Sequence, residues 1–107
     1  MKLKQYSIVL VNLDPTIGSE IKKTRPCVII SPDEINMYLR TIVVAPMTTN
    51  LKNYPTRIKV KHNDKKGMIA IDQIRTIDKS RIVKKFTRLS NAEIQKCKDI
   101  IRETFVD

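Results

Sequence analysis

The stretch Gly18–Pro26 gathers a carboxylate (Glu20), two hydroxyls (Ser19, Thr24), three basic side chains (Lys22, Lys23, Arg25) and one of the chain's two glycines. It lies between two apolar runs, 6–13 and 27–30, that read as strands. Counted from Asp14, the connection is about a dozen residues against a usual median of roughly 4–6, and long ordered connections in small domains tend to be functional. Pro26 biases Arg25 toward an extended backbone, so its guanidinium is expected at the entrance of a strand and not on a helix. Such a set suits anion binding or hydrolysis, and spacing alone does not choose between them.

What the chain lacks narrows the choice. One histidine, two cysteines 70 positions apart and no clustered carboxylates offer no zinc site. Seven acidic residues scattered over positions 1–90 do not make the converging cluster that a two-magnesium nuclease needs. With Gly18 and Gly67 as the only glycines there is no phosphate loop and no dinucleotide fingerprint. Neither metal nor cofactor is expected. Cys27, inside an apolar run, reads as a poor nucleophile, and His62, in a charged turn, reads as an exposed bystander.

Metal-free chemistry on a phosphodiester survives these exclusions. RNA carries its own nucleophile in the 2′-OH, so a catalyst need only align that oxygen, move protons and stabilise charge on phosphorus. Arg25 suits the last task, because its planar fork donates to two phosphate oxygens at once. A hydroxyl such as Thr48 suits a non-bridging oxygen beside it, and Glu20 suits acceptance of the 2′-OH proton if the fold brings it near. Around them, Lys22, Lys23, Lys52 and Arg57 read as diffuse phosphate contacts. Asn50 and Gln73, each donor and acceptor, are candidates for base edges, and Thr49 joins the RNA-binding set.

The charge points the same way. The net charge is +10, yet residues 91–106 sum to zero and Asp107 adds one negative charge. Residues 1–90 therefore carry 18 basic against seven acidic side chains. A polyanion should meet the first ninety residues and not the last helix. Nucleic acid is the partner that this excess favours. A membrane surface is disfavoured, because no basic amphipathic helix is present. The longest early apolar run, Ile8–Val11, is far too short for a signal peptide or a span, so a cytoplasmic location is expected, with both thiols reduced.

The elements that must position these residues are mostly short strands. The runs 6–13, 26–31, 41–47, 54–61, 68–71 and 81–86 read as strands. In the fourth, Ile58 and Val60 face inward while Arg57, Lys59 and Lys61 form a cationic outer face. Pro46 marks the end or an edge position of the third strand, 62–67 reads as a turn and 73–78 as a connection. Ser31 as N-cap with Pro32 behind it starts a helix of one or two turns. A stronger start is Ser90 with Glu93, a capping box with Leu89 and Ile94 as hydrophobic staple, opening a helix to about Thr104. The 107 residues are expected to form a single domain. Its predicted class is mainly β within α+β: a small, strongly curved antiparallel sheet or partly open barrel, with a short internal helix and a C-terminal helix.

Several stretches resemble the MazF/PemK toxin family, the ribonuclease half of bacterial toxin–antitoxin pairs. The likeness begins at Val9-Leu-Val-Asn-Leu-Asp-Pro, continues through Gly18-Ser-Glu and Lys23-Thr-Arg-Pro-Cys-Val-Ile-Ile-Ser, and resumes at Val44-Ala-Pro-Met-Thr-Thr-Asn. It extends to Tyr54-Pro and Ala70-Ile-Asp-Gln-Ile-Arg-Thr-Ile, covering roughly residues 6–90. The resemblance implies an SH3-like barrel, a homodimer with a shared RNA groove, and sequence-specific cleavage of single-stranded RNA to a 2′,3′-cyclic phosphate and a 5′-OH. It implies Arg25 and Thr48 as the catalytic pair, with Glu20 beside them. It also implies a cognate antitoxin, with an acidic, partly disordered tail as the fitting partner for a basic groove. Where many members carry small residues before the arginine, this chain has Ile21-Lys22-Lys23-Thr24, which bears on the RNA word it reads. The alternative is a non-catalytic toxin or nucleic-acid-binding module on the same fold, for example one directed at gyrase.

Overall fold

The apolar runs become strands whose alternate residues serve two different cores. The computed structural model describes residues 2–106. Its order is β1 (Ser7–Asn12), β2 (Thr24–Ile29), α1 (Asp33–Tyr38), β3 (Thr41–Thr48), β4 (Arg57–His62), β5 (Lys65–Ala70), β6 (Arg75–Asp78), β7 (Ile82–Arg88) and α2 (Asn91–Ile101). Ile8, Val28 and Ala45 join one buried cluster with Ile58, Val60 and Ile69 of the β4–β5 hairpin. Their sequence neighbours Val9, Cys27 and Val44 join a second cluster with Leu13, Ile42 and Ile77. Side chains alternate faces along a strand. Runs that are apolar at nearly every position are therefore what a sheet covered on both faces requires.

The sheet is antiparallel throughout, in the order β4-β5-β3-β2-β1-β7, with β6 also on β3. It curls into a half-barrel in which β3 is the longest strand and the hub. One flank of β3 takes β2; the other takes β6 along Thr41–Val44 and then β5 from Met47. Pro46 lies at the change of partner on that second flank. It is buried inside β3 and not at its end, because the ladder there passes from one neighbour to the next.

Three expectations change. Residues 73–78 are not a plain connection: Ile71–Gln73 is a 3₁₀ turn, and Arg75–Asp78 is β6. Only Ile77 of β6 is buried, so so short a polar strand carries almost no alternation signal. The turn expected at 62–67 shrinks to Asn63 and Asp64, whose φ angles of 51° and 61° form a tight hairpin, with His62 and Lys65 already paired in the ladder. Helix α1 is capped at Pro32 with no side-chain cap bond, because Ser31 is turned inward, donating to Asn36 Oδ1 and accepting from Val43 N.

Helix α2 begins where its sequence signal lies. Ser90 Oγ accepts from Glu93 N at 3.2 Å, and Glu93 Oε1 accepts from Ser90 N at 2.9 Å. Ile94 and Cys97 are buried against the first core, with Ile100 and Ile101 partly so, and the helix closes that side of the sheet. Truncating Ile94 to alanine should cost about 2–4 kcal/mol. Phe105 lies in the π-helical turn Arg102–Val106 that continues α2, and it stays exposed. Both cysteines are free and buried.

Candidate functional site

Arg25 and Thr48 line one cleft of about 300 Å³, together with Thr49, His62, Lys65, Lys66, Gly67 and Phe86. Three parts of the chain converge there: β2 and β3, the tip of the β4–β5 hairpin, and β7. Arg25 is half-buried inside β2, one residue further into the strand than its expected place at the entrance. Its Nε donates to Lys22 O at 2.8 Å, which fixes the base of the guanidinium. Among the described residues the salt bridge is that of Arg57 with Asp72, so no carboxylate neutralises Arg25.

Thr48 is oriented by its own chain. Its Oγ1 accepts from Asn50 N at 3.2 Å, which leaves the hydroxyl proton to donate elsewhere. Thr48 also pairs with Met68 of β5, and that close approach depends on Gly67, where a Cβ would stand 3.2 Å from Thr48 O. The cleft therefore offers a fixed cation and a free hydroxyl donor side by side, a pairing that suits a phosphate oxygen.

His62 stands in this cleft and is not the exposed bystander expected. Its ring meets Phe86 edge to face, with centroids 4.8 Å apart and planes at 67°. The signal that would have placed it is Asn63-Asp64, a pair that tolerates left-handed backbone and closes a two-residue hairpin. That closure pairs His62 with Lys65 and brings Lys66 and Gly67 to the cleft as well.

Glu20 lies apart from the pair. It lines a neighbouring cleft of about 470 Å³ with Ser19, Asp72, Gln73 and Arg75. Its carboxylate accepts from Ile17 N within its own loop. Gln73 is committed to the same loop, accepting from Ile21 N at 2.7 Å and donating to Ser19 O at 3.4 Å. The base of the loop is tied by Leu13 N to Lys23 O and by Lys23 N to Asp14 Oδ1. The long connection is thus held at its base and its tip. Pro46 of β3 lines this cleft and its neighbour Met47 lines the other.

The remaining candidates divide by whether their polar atoms are engaged. Arg57 is spent on structure: Nε and Nη2 donate to the two oxygens of Asp72 at 2.8 and 3.1 Å, with its guanidinium 5.2 Å from the Tyr54 ring centroid. That pair holds the Asp72 carboxyl below its usual range, chiefly through the hydrogen bond from Arg57, with Thr56 adding a second. Lys22 and Lys23 are exposed on the pinned loop, and Lys52 is exposed after β3. Asn50 Oδ1 accepts from Lys52 N and so shapes that segment, while Thr49 is exposed at the cleft. Cys27 is fully buried, and burial pushes its thiol up to about 12, which keeps it out of the chemistry.

Comparison with known proteins places the chain in a family. The family model of the PemK-like, MazF-like toxins of type II toxin–antitoxin systems matches residues 4–105. An "Endoribonuclease MazF" of Staphylococcus saprophyticus subsp. saprophyticus is 34% identical over 105 residues, covering 92% of this chain and 88% of that protein. The crystal structure of MazF (Form-I) from Deinococcus radiodurans superposes with a TM-score of 0.88 at 19% identity, over 100% of this chain and 99% of that one. An endoribonuclease from a mycobacterial species, solved in complex with its cognate antitoxin, superposes with a TM-score of 0.82 at 17% identity, over 97% and 95% of the two chains. At those identities the two structures speak for the fold, and the sequence matches speak for the lineage: the chain belongs to the PemK-like, MazF-like toxin family of type II toxin–antitoxin systems.

Proposed function

We propose that the chain is an endoribonuclease toxin that cuts single-stranded RNA, messenger RNA included, at a sequence it selects. The 2′-OH attacks the adjacent phosphorus, leaving a 2′,3′-cyclic phosphate and a 5′-OH, and no metal ion takes part. The observation that carries this reading is the shared cleft of Arg25 and Thr48. In it the Arg25 fork holds two oxygens of the phosphate and gains strength as charge builds in the pentacoordinate state. The Thr48 hydroxyl donates to a non-bridging oxygen and fixes the phosphate against rotation. Lys65 and Lys66 add positive potential at the mouth, and Lys22 and Lys23 on the pinned loop extend it along a bound strand. Among the described residues no three His, Cys, Asp or Glu side chains converge as a metal site would need. No described helix is long and apolar enough to cross a membrane.

The toxin acts as a homodimer and loses activity to a cognate antitoxin whose acidic, flexible tail competes for the same cations. Lost translation follows from lost message.

The deciding experiment treats a defined RNA pool with the purified protein in excess EDTA and sequences the new 5′-OH ends. A recurring short word at those ends, with cyclic phosphate on the other fragment, is the expected result. Intact RNA bound with a steep salt dependence would instead mark a non-catalytic binder, and cleavage that stops in EDTA would refute the metal-free route.

A further inference from the structure

We infer that His62 is the general base of this cleft, the acceptor of the 2′-OH proton; the inference rests on the reaction proposed above. The cleft is rich in donors and poor in acceptors. Arg25, Lys65 and Lys66 line it, and guanidinium and ammonium groups carry N–H donors without a free lone pair. Thr48, Thr49 and Asn63 form hydrogen bonds but take up no whole proton near neutral pH. The imidazole of His62 is the lining group that carries a basic ring nitrogen. Glu20, the carboxylate of the pinned loop, faces the other cleft and holds Ile17 N.

The ring is held for the task. His62 ends β4 opposite Lys65, directly before the Asn63-Asp64 turn, so the hairpin sets its direction. The edge-to-face contact with Phe86 fixes its plane from β7. Asn63 Nδ2 lies 3.4 Å from Nε2, so the turn that follows β4 also touches the polar edge of the ring, with the donor and acceptor roles set by the tautomer. The charged groups near the ring are Arg25 on β2, Asp64 in the adjoining turn, Lys65 and Lys66 on β5, and Lys85 with Lys84, beside Phe86, on β7, while Lys61 on β4 points to the other face. The cations draw a phosphate toward the ring, and among the described residues no salt bridge ties the imidazole to a carboxylate.

In the step, His62 removes the 2′-OH proton as the 2′-oxygen–phosphorus bond forms. The phosphorus–5′-oxygen bond breaks with its electron pair on the 5′-oxygen, which takes a proton from water. The imidazolium then returns its proton to water, and the cleft is reset.

The test is single-turnover cleavage, over roughly pH 5 to 9, of an RNA that the wild-type protein cuts. The wild-type rate rises with pH and then levels, as a reaction that needs a deprotonated base does. His62→Gln and His62→Asn lose roughly 10²–10⁴-fold at the plateau and lose the rising limb with it. Added imidazole restores part of that rate. Both variants bind a copy of the RNA bearing 2′-deoxyribose at the cut position as tightly as wild type does. Unchanged rates in both variants overturn the inference, and so does a loss that is constant with pH and matched by weaker binding, since that marks a structural role. A wild-type rate independent of pH overturns it without any variant. RNA left whole by the wild type sinks this inference and the proposed function together; RNA cut equally by wild type and His62 variants sinks this one alone.

Discussion

Arg25 and Thr48 lie on neighbouring antiparallel strands, each two residues beyond the Cys27–Pro46 pair at which the β2–β3 ladder ends. Residues two apart on a strand face the same way, so both project from the face that carries Cys27 and Pro46. Strand pairing, and not closure of the long loop, brings them to one cleft. A slip of one residue would send the two to opposite faces.

That geometry separates charge from fork at position 25. Arg25→Ala should lower the cleavage rate at least 10²–10³-fold, roughly the loss seen when one aimed donor is removed. Arg25→Lys keeps the charge and loses the bidentate fork, so it should recover binding but little of the rate. Thr48→Val should lower the rate while Thr48→Ser retains most of it, because only the hydroxyl is needed. Rate constants on one RNA substrate, with circular dichroism to show unchanged fold, give the answer; an active Arg25→Ala protein would remove the basis of the mechanism.

Gly67 offers a subtler probe of the same site. A methyl group there would press on Thr48 O from 3.2 Å, so Gly67→Ala must displace the β3 backbone by a few tenths of an ångström. A misplacement of about 1 Å can cost about 10²-fold in rate. This smaller one should lower kcat several-fold, leave KM nearly unchanged, and cost about 1 kcal/mol in stability. A variant with wild-type kcat would show that Thr48 need not be held so closely.

The antiparallel, mostly β fold and both helices could be read from the chain because their signals are local. The capping box at Ser90 and Glu93 states where α2 begins, and both of its hydrogen bonds form. Apolar runs such as 27–30, apolar at nearly every position, announced buried and central strands, and the two clusters they join bear that out. Strand β6 was hidden because Ile77 is its single buried residue. Ser31 misled for a different reason: its hydroxyl donates to Asn36 of the helix and accepts from Val43 N of β3, and these contacts outweigh a cap.

At the site, residue types were legible and neighbours were not. Arg25 was singled out by chemistry, and its meeting with Thr48 needed the β2–β3 register. Arg57 sits among lysines at alternate positions, yet Asp72, fifteen residues on, engages it. Gln73 similarly spends its amide on the loop at Ser19 and Ile21, more than fifty residues away. His62 was set aside because the turn was drawn six residues wide, whereas the left-handed Asn63 and Asp64 alone make it.

The Arg57–Asp72 pair gives a pH-dependent stability term. The Asp72 carboxyl is held low, first by the hydrogen bond from Arg57. A carboxylate with a depressed folded-state value contributes fully above its unfolded value, about 3.9, and that contribution is lost as pH falls through the folded value. Asp72→Asn should therefore lower stability by about 1 kcal/mol at neutral pH, a modest figure because the side chain is 35% exposed. The gap to wild type should close below about pH 4. Urea melts at several pH values measure this, and a gap that widens in acid would show that the pair is not the cause.

The two thiols provide a test of where the chemistry is not. Cys27 and Cys97 are both fully buried, and burial pushes each up to about 12. The thiolate is the reactive form, so neither should react with a disulfide reagent while the protein is folded. Cys27 nevertheless lies two residues from Arg25 on the same strand face, and its Sγ reaches Arg25 O at 3.6 Å. Modification there would disturb the cleft at once. Native protein should thus keep full cleavage activity in excess reagent, and labelling of both thiols should appear only with unfolding in urea. Rapid labelling of the native protein with parallel loss of cleavage would mean that β2 opens beside Arg25, and that the cleft is far less rigid than its strand pairing implies.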